Sequence, residues 1–263
     1  MTNIQFQSGA IDATGAISNA WELIKQNYGM YLGIAVVAIV LTGCIPCLNL
    51  FIIGPVMGGV FFVVLRAMRQ EPVEFGMMFK GFEKFVPLMV IGLIQAIPGV
   101  IAQVLRLTIN LGQLGLSGGR NGDFQFFQSS DRDVALAGGL AIFAIVIGIA
   151  FAIFALVWWA VMFFAIPLAM EYDLGPVDAI KLSAQAAMGN IGGLILLLIF
   201  QVLIVLLGTV MLCIGIFLIS IPVIYVTNAF VFRQVFPRID QNFNMAPPPP
   251  TAYGDFGAGM PAS

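Results

Sequence analysis

The sequence predicts an all-α, polytopic membrane protein with about six transmembrane helices, cytoplasmic amphipathic helices and a weak internal repeat. Three observations carry that expectation. Of 263 residues, 60% are hydrophobic and only 9% charged, against about 25% charged in an ordinary soluble domain, and the mean hydropathy is +1.01. The stretches 31–68, 134–170 and 192–232 contain no acidic side chain. The segments between them show helical spacing of their apolar residues rather than the alternation of strands.

About 20 apolar residues make one helical crossing of a ~30 Å hydrocarbon core, so each long stretch holds one span or two. The first has Gly43, Pro46, Asn49, Gly54 and Pro55 near its middle and reads as a tight hairpin of two short spans. In 134–170 the one proline is Pro167, near the end, which suits a single long, tilted or bent span. As one helix, 192–232 would be a rod of about 61 Å, twice the core, so it divides near 212–215. Residues 85–111 add a crossing despite Gln95, Pro98, Gln103 and Arg106. The six spans fall near 30–47, 50–69, 87–111, 138–165, 192–212 and 215–235, inside a membrane domain of 12–238. Residues 1–11 form an N-terminal tail.

Charge bias sets the orientation, because cytoplasmic flanks are enriched in Lys and Arg. With both termini inside, eight of the 11 basic residues lie on the cytoplasmic side, leaving Arg106, Arg120 and Arg132 outside. Splitting 134–170 into two spans would erase that bias. The first 30 residues lack a basic segment followed by an apolar one, so no cleavable signal peptide is expected. The expected location is a bacterial inner (plasma) membrane, crossed several times.

Three non-spanning segments are amphipathic. Ile17, Ala20, Trp21, Ile24 and Tyr28 follow helical spacing opposite Ser18, Glu22 and Gln26, which predicts an interfacial helix anchored by Trp21. Residues 178–190 form a second such helix, with Asp178 as its expected N-cap. In the third, Phe75, Met78, Phe79, Phe82 and Phe85 share a face, so Phe79 and Phe82 are expected to sit at the inner interface. At an offset of 163, Ala16, Ile17, Asn27 and Gly29 meet Ala179, Ile180, Asn190 and Gly192. This is the internal repeat, and it implies a pseudo-two-fold axis along the membrane normal. Residues 239–263, with Pro247–Pro250, are expected to be a disordered Pro-rich tail.

Composition removes whole chemistries. The chain has no His, so Ser-His dyads, His-bearing zinc sites and His-ligated haem are excluded. Three Cys are too few for an all-Cys zinc site. No cofactor and no metal is expected, and the scattered basic residues argue against nucleic acid. Cys44-Ile45-Pro46-Cys47 is a C-x-x-C that offers a thiol–disulfide pair; the competing reading is small apolar side chains packed at a bend. Gln95 and Gln201 approach the membrane midplane. They line a solute path, or they make interhelical hydrogen bonds of about 0.6 kcal/mol each, the reading favoured here. No Asp, Glu or Lys is placed deep in any predicted span, so coupled transport lacks its usual residues.

The order of these segments resembles a known pattern. AIxxAWxLIKQN before the first span, IPxxxxxIxGPxxxG at 45–59, GFEKFVP at 81–87 and PxDAIKLS at 176–183 are similar to the YciC-like families of bacterial six-helix membrane proteins. They also resemble the membrane domain accompanying some glycerophosphodiester phosphodiesterases. The resemblance covers most of 12–237 and implies architecture; it carries no catalytic residue across.

The functional expectation is a non-enzymatic membrane scaffold or partner-binding subunit, associating with the lipid bilayer and with a second copy or another membrane protein through Gly-rich helix faces. A passive small-solute transporter or channel competes with it, and a membrane thiol–disulfide oxidoreductase using Cys44 and Cys47 stands third.

Overall fold

A computed structural model describes residues 4–43, 46–117, 131–211 and 215–237, with the side chains of 46–48, 109–117, 131–141 and 144 left aside. Every regular element among them is helical. In chain order these are α1 (Ala13–Gln26), α2 (Tyr28–Gly43), α3 (Pro46–Ala67), a 3-10 stretch (Phe75–Lys84), α4 (Phe85–Gln95) and α5 (Ile97–Ser117). There follow α6 (Asp131–Met162), α7 (Ala165–Tyr172), α8 (Pro176–Gly189), α9 (Ile191–Val210), a π-helical turn (Ile216–Ser220) and α10 (Ile221–Val235). Four helices are long and apolar enough to cross a membrane alone, and the number reaches six if each of two bent pairs counts as one span. The Pro-rich segment 239–263 lies outside the described residues.

Helix boundaries follow from local chemistry. Asp12 caps α1, its carboxylate accepting the Gly15 N–H at 3.0 Å and the Thr14 hydroxyl at 2.7 Å. Those two bonds, the backbone one foremost, hold the Asp12 carboxyl below its ordinary value. The chain turns by 105° between α1 and α2, at Asn27, whose φ of −144° and ψ of 54° leave the helical region. Asn190 does the same between α8 and α9, at φ −130° and ψ 21°. Asp178 is not the cap of α8. Gly175 holds that position with Pro176 in the first turn, where a missing N–H costs nothing, and Asp178 adds its charge to the positive end of the helix. Pro46 likewise opens α3, so that helix begins four residues ahead of the span expected from 50.

One expected span is bent, and the helix of another is interrupted while remaining one stretch long and apolar enough to cross. Residues 75–108 bend by 46° between α4 and α5, two residues before Pro98. Pro98 cannot supply the N–H that would meet the Ile94 carbonyl four residues back; the Trp158 indole of α6 donates to that carbonyl instead, at 3.1 Å. The long helix of 131–172 breaks at Phe163–Phe164, where the Ser183 hydroxyl of α8 donates to the Val161 carbonyl at 2.5 Å and accepts the Phe164 N–H at 3.0 Å. At Pro222 the pattern recurs. The Leu218 carbonyl, four residues back, accepts the Tyr28 hydroxyl at 2.8 Å. Inside a bilayer no water can take over a freed backbone group, so each break requires a partner side chain from another helix.

The tightest packing joins α3 to the 3-10 stretch and α4. A Cβ on Gly54 would lie 1.9 Å from the Leu88 carbonyl oxygen, one on Gly59 1.7 Å from that of Met78, and one on Gly81 2.0 Å from that of Pro55. Between membrane helices, close packing rather than water exclusion supplies the attraction, and these glycines let the backbones touch. The small face Ala13, Ala16 and Ala20 of α1 is buried and packs on α10.

The N-terminal segment is also built in. The Gln7 N–H donates to the Val235 carbonyl at 2.9 Å and the Gly9 N–H to that of Gly189 at 3.1 Å. Asn190 closes the joint: its side-chain oxygen accepts the Ala10 N–H and its NH2 group donates to the carbonyl of Gln7, both at 2.9 Å. Phe6, Phe164 and Phe232 surround Phe236, with ring centroids 6.4, 5.7 and 5.3 Å away.

A Cβ at Gly54 meets backbone that cannot move aside, so Gly54→Ala is expected to destabilise by about 3 kcal/mol or more, the upper end of overpacking. Gly148→Ala, where a Cβ meets nothing within 4 Å, is expected to be neutral. Thermal unfolding of the two variants in one detergent checks both.

Candidate functional site

Polar chemistry gathers at one end of the bundle, where α3 ends, α7 ends and α10 ends. Glu171 is its centre. The carboxylate, with its side chain 9% exposed, pairs with Arg69 at the end of α3 and with Arg233 in the last turn of α10. Arg69 Nη2 reaches both Glu171 oxygens, at 2.7 and 2.8 Å, and Arg233 Nη2 reaches Oε1 at 2.7 Å. Glu71 extends the cluster, 3.0 Å from Arg66 Nε and 3.4 Å from Arg69 Nη1. Lys84 of the 3-10 stretch donates to the Met170 carbonyl at 3.0 Å and pairs with Asp173 at 2.9 Å. Two guanidinium groups on one carboxylate oxygen repel each other, so the arrangement depends on Glu171 staying ionised.

Beside the cluster lies a cleft of about 500 Å³ between α1, the start of α2, the turn after α3, and α10. Its rim carries Asn19, Glu22, Gln26, Asn27, Gln70 and Glu71. Gln70 is in the left-handed conformation at φ 58°. Its N–H bonds to the Ala67 carbonyl, and that of Glu71 to the Arg66 carbonyl, at 2.9 and 3.3 Å, the pair of bonds that closes a helix over a left-handed residue.

The residues singled out by sequence lie apart from this region or outside what is described. Cys44 is outside the described residues, and Cys47 is in the first turn of α3 with its side chain left aside. Gln201 donates to Asn228 Oδ1 at 2.6 Å, linking α9 to α10. Gln95 is half-buried at the end of α4, beside the Pro98 break. Trp21 is 40% and Phe79 46% exposed, while Phe82 is half-buried between the rings of Phe79 and Phe85, each 6.3 Å away. These aromatics do not converge on a site. Sequence alone does not single out Glu171; its one signal is its position as the first acidic residue after the apolar stretch 134–170. Ser183, Tyr28 and Trp158 had a signal only through the helix breaks they serve.

Against known proteins, residues of this chain align with the uncharacterized protein Rv2560 of Mycobacterium tuberculosis at 30% identity over 112 residues, 42% of this chain and 34% of that protein. The uncharacterized protein Mb2590 of Mycobacterium bovis aligns with the same identity and coverage. The chain thus spans about a third of the length of the curated relatives it matches. No family model and no solved structure matches it.

Ser183→Ala would leave a buried N–H and a buried carbonyl at the α6–α7 break without their partner. The expected cost is about 1–3 kcal/mol, read as a lowered unfolding temperature in detergent, with Ser183→Thr less affected because the hydroxyl remains.

Proposed function

We propose that the protein is a non-enzymatic membrane scaffold or partner-binding subunit: a six-span inner-membrane protein of the YciC-like kind, with both termini cytoplasmic. The observation that carries this reading is the exposure of α6. In the apolar window of 145–172 only 11% of residues are buried, against 56% in that of α3. Ile145, Val146, Ile147, Gly148 and Ile149 are all exposed, and at 100° per residue these positions point to every side of the helix. A bundle helix in lipid ordinarily gives one face to its neighbours; this stretch gives almost none, which suits a helix offered to a partner within the membrane.

Other features support the same arrangement. The polar end is braced by Glu171, so α6 projects from a fixed base. Counting each bent pair as one crossing gives six spans. The offset of 163 that aligns the two pre-span segments also carries α1 onto α8 and the Asn27 joint onto the Asn190 joint, which favours a duplicated unit. Gln201, which a solute path would need, is engaged by Asn228.

Photo-crosslinking residues placed at Ile145, Ile149 and Ile153 in native membranes test the proposal. A discrete protein adduct, either a second copy or one other membrane protein, is expected from at least one position. Lipid adducts alone at all three, together with solute flux through proteoliposomes containing the chain, would replace the scaffold by a passive transporter.

A further inference from the structure

The Asn27 and Asn190 joints are alike in backbone and unlike in what covers them. We infer that the open one, at Asn27, is a docking groove for the chain's own segment 241–246, centred on Phe243. At an offset of 163, α1 (Ala13–Gln26) falls on α8 (Pro176–Gly189) end to end. Ala16, Ala20 and Ile24, buried on α1, fall on Ala179, Ser183 and Ala187, buried on α8. Each joint residue donates its N–H to the carbonyl three residues back, Asn27 to Ile24 and Asn190 to Ala187, both at 3.1 Å. Asn190 is 3% exposed. Its carboxamide binds the backbone of Gln7 and Ala10, while Phe6 and Ser8 crowd Gly189 and Ile11 crowds Gly193. Asn27, by contrast, is exposed, and among the described residues its side chain has no hydrogen-bond partner. In place of a covering segment it borders the cleft of about 500 Å³.

The cleft is lined for an extended peptide that carries an aromatic residue. Gln26 and Met30 stand where Gly189 and Gly193 do in the other joint, so a segment held here cannot sink onto bare backbone. It meets instead the carboxamides of Asn19, Gln26 and Gln70, which both donate and accept, and the side chains of Tyr31, Met68 and Phe230. The chain supplies such a segment. Gln5-Phe6-Gln7, at the Asn190 joint, has a counterpart in Asn242-Phe243-Asn244, again a phenylalanine between two carboxamides. The end of α10 delivers it close by. Phe230 lines the cleft, and Pro237 follows it by seven residues, about 10 Å of helix. The next five residues, 238–242, reach up to about 17 Å when extended, enough to bring Phe243 back to the cleft. There the Asn27 NH2 group donates to the Asn244 carbonyl, as that of Asn190 does to Gln7. In the same register Pro247 stands where Ala10 does and has no N–H to give, so the docked stretch ends before it.

The test replaces Phe243 by the photo-crosslinking residue p-benzoylphenylalanine in the full chain, in native membranes, and maps the adducts by mass spectrometry. An adduct within one chain, to Tyr31, Met68 or Phe230, is expected. Asn27→Ala should lower its yield about two- to fivefold, the worth of one hydrogen bond. Because Asn27 is exposed and its backbone bonds remain, the unfolding temperature in detergent should stay as in the unaltered chain. The same probe at Phe256, beyond the docked stretch, should give no adduct in the cleft. Four results would each overturn the inference: adducts from position 243 only to lipid or to residues outside the cleft, an adduct that joins two chains, a yield undiminished by Asn27→Ala, or an equal yield of cleft adduct from position 256.

Discussion

One carboxylate determines how the polar end of this molecule is held. Glu171 ends the apolar stretch that begins at residue 134 and meets Arg69 and Arg233, which close two other spans. Without it, two guanidinium groups would face each other at the edge of a low-dielectric core. Removing one partner of a fully buried pair typically costs about 3–5 kcal/mol, because the remaining charge is left uncompensated; this partly buried cluster, with Arg69 29% and Arg233 15% exposed, lies below that. The aromatic cluster around Phe236, the Lys84 contacts at the end of α7 and the N-terminal segment along Val235 and Asn190 all assemble at this end of the bundle.

Away from that end the structure loosens. The glycine-lined contact of α3 with the 3-10 stretch and α4 gives one compact side, whereas α6 and α9 present bulky apolar residues outward along most of their length. The interruptions at Pro98, Phe163–Phe164 and Pro222 leave no carbonyl unpaired, since Trp158, Ser183 and Tyr28 arrive from elsewhere in the sequence; the first of them also turns the chain by 46°. A braced base carrying an exposed membrane helix is the physical content of the scaffold proposal.

Much of the helical architecture was legible because it follows from elementary patterns. Long apolar stretches need a bilayer, and the spacing of Ile17, Ala20, Trp21 and Ile24 was enough to give α1, although the face it buries is Ala13, Ala16, Ala20 and Ile24. The positions of individual breaks were harder to read. Pro46 reads equally well as a loop residue and as the first residue of a helix, and it proved to be the latter. Pro98 looked tolerable within one span, yet its missing N–H displaces the helix axis. The 105° turn at Asn27 carries no signal of its own in composition. The ion cluster was the least visible feature, because Arg69, Glu171 and Arg233 are separated by 102 and 62 residues and only tertiary packing brings them together. Polar residues that did stand out, such as Gln201, turned out to be occupied by a neighbour.

The most direct measurement of the central claim is a double-mutant cycle between Glu171 and Arg233, read as unfolding free energy in a single detergent from Glu171→Gln, Arg233→Gln and the double variant. If the carboxylate holds the helix ends together as described, the two substitutions are strongly non-additive, with a coupling of about 1–3 kcal/mol. Simple additivity, with each single variant costing only what an exposed surface pair would, would show that the helix ends are held by packing alone and contradict the role assigned to Glu171.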